Sequence, residues 1–136
     1  MNLIKPMILV VSVLAIMSCQ KSGPKDFAIG KDQCDNCRMT ITEQKYAAQL
    51  ITAKGRTYKF DDIMCMSMYE SSNPDKAANA KTYVVDFPSG KFLEKSKATL
   101  IKGGSIKSPM GGNTQAYQDK AAAQKAAAML GASLIK

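Results

Sequence analysis

Between Tyr46 and Glu70 the chain runs through two short β-forming stretches and then an aspartate-capped helical stretch. Tyr46-Ala47-Ala48-Gln49-Leu50-Ile51-Thr52 and Thr57-Tyr58-Lys59-Phe60 flank Ala53-Lys54-Gly55-Arg56, a pattern that predicts a hairpin. Asp61 or Asp62 then stands where an N-cap is needed, which predicts a helix from Ile63 to Tyr69 or Glu70. Ser71-Ser72-Asn73-Pro74 ends it. A hairpin of this size must bury a face against another element, so the pattern demands sheet with helix packed on it.

The remainder repeats the theme. Lys81-Thr82-Tyr83-Val84-Val85-Asp86-Phe87 is the strongest strand pattern, bounded by Pro88-Ser89-Gly90. Phe92-Leu93 starts a shorter one, and Ala98-Thr99-Leu100-Ile101-Lys102 another. After Gly103-Gly104 comes the loop Ser108-Pro109-Met110-Gly111-Gly112-Asn113 and a strand pattern over Thr114 to Tyr117. Asp119 caps an alanine-rich helix to about Leu130, stopped by Gly131. Asp75 to Lys81 fits neither period. Ala48-Gln49-Leu50-Ile51 and Ala98-Thr99-Leu100-Ile101 thus each open a strand-strand-helix succession. The expected fold class is α+β, with two small ββα-type halves at about 26–74 and 75–136, antiparallel strands and helices packed on the sheet. Identity between the two stretches is low, so the repeat is an expectation of layout alone.

Upstream, Lys5 precedes an apolar run from Met7 to Met17 that ends at Ser18-Cys19. That run is about half the roughly 20 residues of a spanning helix. Residues 1–18 therefore read as a signal peptide, and Ile16-Met17-Ser18-Cys19 resembles a bacterial lipobox with Cys19 as the lipid-modified residue. The competing reading is an ordinary cleaved signal with Cys19 nearby by chance. Residues 19–25 read as the lipidated N-terminus and polar tether, and 26–136 as the folded domain. The expected location is the periplasmic side of a membrane, where disulfides persist. Gln20 and Lys21 do not specify inner or outer membrane.

Hydrophobic residues make up 46% of the chain and charged residues 22%, the balance of a folded domain. The net charge of +8 fits proximity to anionic lipid, an acidic partner or simply a solvated surface. Scattered lysines and 7% aromatics argue against nucleic acid as a partner. With no histidine, no nucleophile elbow and no phosphate loop, the chain does not read as an enzyme.

Sulfur dominates what chemistry remains. With Cys19 assigned to lipid, Cys34, Cys37 and Cys65 are left, an odd number that cannot pair completely within the chain. Cys34-Asp35-Asn36-Cys37 admits several readings. Structural zinc needs four ligands, and a carboxylate such as Asp35 would have to complete the set. A thiol–disulfide exchange factor wants a strand feeding the motif, and Phe27 to Gln33 is too short and polar. A plain disulfide in a metal-free lipoprotein is the third. Cu(I) is the fourth: Cys37 and Met39 are two apart, so on extended backbone they point the same way, and Met110 can join from the other half. Cys34 is a candidate fourth donor. Gly111 and Gly112 permit close backbone approach there. Met64 and Met68 share a helix face at i, i+4 spacing, and Met64, Met66 and Met68 read first as core. Cys65 stays open between core thiol, disulfide partner and auxiliary ligand. Asp61-Asp62 reads as a diverging pair, one member a cap.

Cys19, Cys34-Asp35-Asn36-Cys37-Arg38-Met39-Thr40-Ile41, Ala47-Ala48-Gln49, Phe60-Asp61-Asp62-Ile63-Met64-Cys65 and Pro109-Met110-Gly111-Gly112 together resemble the NosL family of nitrous oxide reductase accessory lipoproteins. The resemblance spans nearly the whole mature chain, and Cys37-x-Met39 and the Met110-Gly loop are its most specific parts. It implies two ββα-type halves and a Cu(I)-binding protein anchored to the membrane by lipid. It also implies ligands at Cys37, Met39 and Met110, and a copper-accepting client, nitrous oxide reductase or its assembly machinery.

Overall fold

The computed structural model describes residues 23–135. The signal segment 1–18 and Cys19 lie outside the described residues. Among the described residues no helix is long and apolar enough to cross a membrane.

Among the described residues, seven strands and three helices follow in the order β1 (Ala48–Ile51), β2 (Thr57–Phe60), α1 (Ile63–Ser72), α2 (Pro74–Ala77), β3 (Lys81–Val85), β4 (Phe92–Glu94), β5 (Thr99–Lys102), β6 (Thr114–Tyr117), α3 (Lys120–Leu130) and β7 (Ser133–Ile135). They form a four-stranded sheet in the order β2-β1-β3-β4 and a three-stranded sheet in the order β6-β5-β7. All pairings within both sheets are antiparallel. The α+β class with helices packed on antiparallel sheet is therefore what the chain adopts.

The topology makes the internal repeat one strand longer than the sequence pattern. β1-β2-α1-β3 and β5-β6-α3-β7 are both strand-strand-helix-strand units, with the last strand pairing on the free side of the first. A single 3₁₀ turn precedes each unit, at Gln44–Tyr46 and Lys95–Lys97. The sheets divide between Glu94 and Thr99, so β3 and β4 complete the first sheet although they lie beyond residue 74. Residues 46 and 47, which look like strand, belong to the turn and its exit; Ala47 donates back to the Gln44 carbonyl. β7 is exposed along its length and lacks the alternation that marks a strand, so only its pairing with β5 defines it. Asp75 to Lys81 resolves into one helical turn started by Pro74, then the first residue of β3.

The core falls into two clusters, the first also taking in Leu100 and Ala116 from the second unit and the second taking in Tyr46 from ahead of β1. Leu50, Phe60, Met66, Tyr69 and Val84 fill the first, between the large sheet and α1. Ile101, Ile106, Tyr117, Ala123 and Ala127 fill the second, where alanines let α3 lie close on the small sheet. The units are joined at Asp86, which leaves β3 to form a parallel bridge with Ala116 and accepts a hydrogen bond from the Gln118 amide. The Lys25 amide and carbonyl both bond the buried Gln49 side chain, so docking begins at the last residue of the expected tether.

Gly104 fixes how the β5–β6 loop meets the end of α3. Its φ is +60°, and a Cβ there would stand 2.0 Å from the Leu130 carbonyl oxygen. Both the left-handed backbone and the contact with main chain oppose a side chain. Gly104→Ala is expected to lower stability by about 2–4 kcal/mol, read as a fall in the denaturant midpoint with an unchanged slope.

Candidate metal centre

The site begins with the loop that joins Gln33 to Thr40, two residues paired by an antiparallel bridge. Within it the Cys34 amide donates to the Met39 carbonyl at 2.8 Å and the Arg38 amide to the Cys34 carbonyl at 2.9 Å. Arg38 takes a φ of +67° to close the turn, so the backbone between Cys37 and Met39 is not the extended segment expected to point the two side chains the same way. Asp35 fastens the loop to the edge of β2. Its amide donates to the Lys59 carbonyl, and its carboxylate accepts from the Lys59 amide, both at 2.8 Å. Asp35 is thus a docking residue. The structure moves it out of the ligand role considered for it in a zinc reading.

The second contribution comes from the start of α1. Asp61 precedes the N-cap, Cys65 sits in the first turn of the helix, and both side chains reach the thiols of the loop. Asp62 is the N-cap, accepting from the Met64 amide, and points elsewhere. One ligand atom from each of Cys34, Cys37, Asp61 and Cys65 can be chosen so that all lie within 4.8 Å of one another. Cys34, Asp61 and Cys65 are buried and Cys37 is half-buried. The Cys37 thiol donates to Asp61, 3.5 Å from Oδ1, and the Cys37 amide donates to Cys34 Sγ at 3.5 Å. All three cysteines are free.

Burial governs the electrostatics of these thiols. Loss of hydration raises the Cys37 thiol to about 11, with the Cys34 thiol and the Asp61 charge adding to the shift against a hydrogen bond at the Met39 backbone. The same burial, together with the neighbouring Cys34, raises Cys65 far above its ordinary value. A thiol held at about 11 carries little thiolate at neutral pH, a poor starting point for disulfide exchange. A cation among these groups would replace the protons and reverse that preference.

Of the predicted ligands, Cys34 and Cys37 are brought together. Met39 is 59% exposed and Met110 36% exposed. Met110 rides on the β5–β6 loop, which is tied to the same helix start. Asp62 Oδ2 accepts from Ser108 Oγ at 2.6 Å, the Met110 amide at 3.0 Å and the Gly112 amide at 3.4 Å. Gly112 allows this approach, since a Cβ there would stand 2.5 Å from Asp62 Oδ1 and 2.6 Å from Met64 Cβ. The two adjacent aspartates therefore diverge as expected, Asp61 to the thiols and Asp62 to the methionine loop. Of the helix methionines only Met66 is buried core, while Met68 is exposed.

Sequence reasoning missed Asp61 and left Cys65 open. The available signal for Asp61 was that capping accounts for only one of two adjacent aspartates; Asp61 precedes the cap, so no helical spacing ties it to Cys65.

Fold and site together define a small α+β protein with a thiol-rich candidate metal centre. The chain belongs to the NosL family, whose model matches residues 27–136. Among solved structures it is similar to the copper chaperone NosL from Shewanella denitrificans, with a TM-score of 0.70 at 16% identity. That match covers 83% of this chain and 92% of the other. No curated protein matches the chain.

Proposed function

We propose that the chain is a lipid-anchored, extracytoplasmic carrier that binds Cu(I) and delivers it for assembly of a metalloenzyme, with nitrous oxide reductase as the client. The observation that carries this reading is the gathering of Cys34 and Cys37 with Cys65 and Asp61, beside the exposed Met39 and next to the loop bearing Met110. Thiolate and thioether donors select a soft monovalent ion. Membership of the NosL family and the fold shared with a copper chaperone support it. Cys37 is the anchoring thiolate, Met39 and Met110 are neutral outer ligands, and Cys34 is the further donor. Delivery proceeds by ligand exchange. A sulfur or imidazole of the acceptor enters at the exposed face, the thioethers leave first, and Cys37 releases last.

The raised Cys37 thiol fixes the sign of a pH dependence. Below about 11 the thiol is protonated, so Cu(I) must displace its proton. Apparent affinity is expected to rise about tenfold per pH unit for each proton displaced, over roughly pH 6 to 8. Competition with a Cu(I) chelator across that range is the measurement. An affinity independent of pH would remove Cys37 thiolate from the site.

A further inference from the structure

We propose that the cavity between the β1–β2 turn and α2 is a docking site for an acidic segment of a partner polypeptide, one of whose carboxylates is held by Arg56 and Lys76.

The cavity has a volume of about 400 Å³. The turn contributes Ala53, Lys54 and Arg56 to its lining, and α2 and its exit contribute Asp75, Lys76 and Ala78. Tyr58 of β2 also lines it and is itself buried, so its ring is a fixed surface. The turn is fixed too. The Thr52 amide donates to the Arg56 carbonyl at 2.9 Å, and the Thr52 hydroxyl accepts from the Arg56 amide at 3.1 Å.

Two cations converge on the Tyr58 ring. The Arg56 guanidinium carbon lies 4.9 Å from its centroid and Lys76 Nζ 5.4 Å. Lys76 Nζ also donates to the Tyr69 hydroxyl at 3.3 Å. With Lys54 they set three positive charges against the one carboxylate of Asp75. Among the described residues none of these four groups takes part in an ion pair. Like charges held together repel, and an incoming anion relieves that repulsion. The ring contacts already restrict Arg56 and Lys76, so less side-chain freedom is lost when the anion arrives.

Size and lining select the anion. The volume is that of a site for an organic ligand, and a bare phosphate would leave most of it empty. Between the charges the walls are apolar, made by Ala53, Ala78 and the lysine stems. An acidic peptide brings a carboxylate for bidentate pairing with Arg56 and a neighbouring apolar side chain for those walls. A lipid surface would need a flat or convex basic face, whereas these charges line a hollow. The net charge of +8 favours approach by an acidic partner. The cavity is distinct from the thiol centre. Tyr58 precedes Asp61 by three residues, about 10 Å of extended chain, and Tyr69 follows Cys65 by about one helical turn. A partner seated here can therefore reach the thiols without covering them.

The test records amide NMR spectra of the purified, reduced, metal-free chain during titration with a capped peptide alternating leucine and glutamate. Its glutamine counterpart, succinate, inorganic phosphate and phosphatidylglycerol vesicles are titrated separately. The expected result is saturable movement of the Ala53, Arg56 and Ala78 amides by the glutamate peptide, weakened by added salt. The glutamine peptide is expected to bind at least about tenfold more weakly. Arg56→Gln and Lys76→Gln are each expected to weaken the glutamate peptide about tenfold. Lys125→Gln removes the same charge from the exposed face of α3 and is expected to change the affinity less than about twofold. Equal losses from Arg56→Gln and Lys125→Gln would reduce the effect to overall charge and overturn the site. Peptide shifts that miss the cavity, or equal binding of the glutamine peptide, overturn it as well. Succinate or phosphate moving the same amides as tightly as the peptide would make a small free anion the occupant and overturn the peptide reading. Arg56-dependent binding to the vesicles with no peptide binding would assign the surface to lipid instead.

Discussion

Replacing Cys37 with serine is expected to lower Cu(I) affinity by more than about 100-fold while leaving the fold intact. Removing groups that only orient a metal ligand already costs about 10–100-fold, and Cys37 is the ligand itself. Serine keeps a proton at neutral pH and offers a hard oxygen where the ion requires a soft donor. Stability is spared because Cys37 is half-buried at the edge of the core and its thiol donates only to Asp61, a bond a hydroxyl can replace. Circular dichroism and the denaturant midpoint therefore stay near the parent values, and the loss appears in chelator competition. Cys34→Ser tests a different role. Cys34 is fully buried in the first core and packs there with Cys65, so its replacement registers in stability as well as in affinity. A Cys37→Ser chain that retains Cu(I) as tightly as the parent would mean that the ion sits elsewhere.

Local chemistry was legible before the fold, and long-range chemistry was not. The Asp62 and Asp119 caps, the αL stop at Gly131 and the hairpin at Gly55 are set by a few neighbouring residues, and the structure has all of them. β7 was hidden because its only warrant is a partner strand some thirty residues upstream. The same holds at the site. Cys34 and Cys37 announce themselves by spacing, but Cys65 meets them only once β1 and β2 have placed the start of α1 beside their loop. Asp61 was discounted because two adjacent aspartates look like one cap and a spare; burial beside three thiols is a tertiary fact. Met110 stood out through its glycine-rich loop, yet nothing local states that Asp62 is what holds that loop.

Asp62→Ala is expected to destabilise the protein by about 3–5 kcal/mol. Its carboxylate is fully buried and accepts four hydrogen bonds, from the Met64 amide, the Ser108 hydroxyl and the Met110 and Gly112 amides. Loss of a helix cap alone costs about 1 kcal/mol. Each donor left buried without a partner adds about 1–3 kcal/mol, less whatever water recovers. Asp62→Asn separates the two duties. Its remaining oxygen can still cap α1 at Met64, but the amide group then faces three donors on the loop, so the Ser108–Asn113 segment loosens while the helix persists. Chemical denaturation should rank alanine below asparagine, and both below the parent. If the loop's purpose is to present Met110, the asparagine variant should also lose Cu(I) affinity by the same factor as Met110→Ala, and combining the two should add nothing further. Additive losses would show that Asp62 supports the helix and that Met110 acts without it.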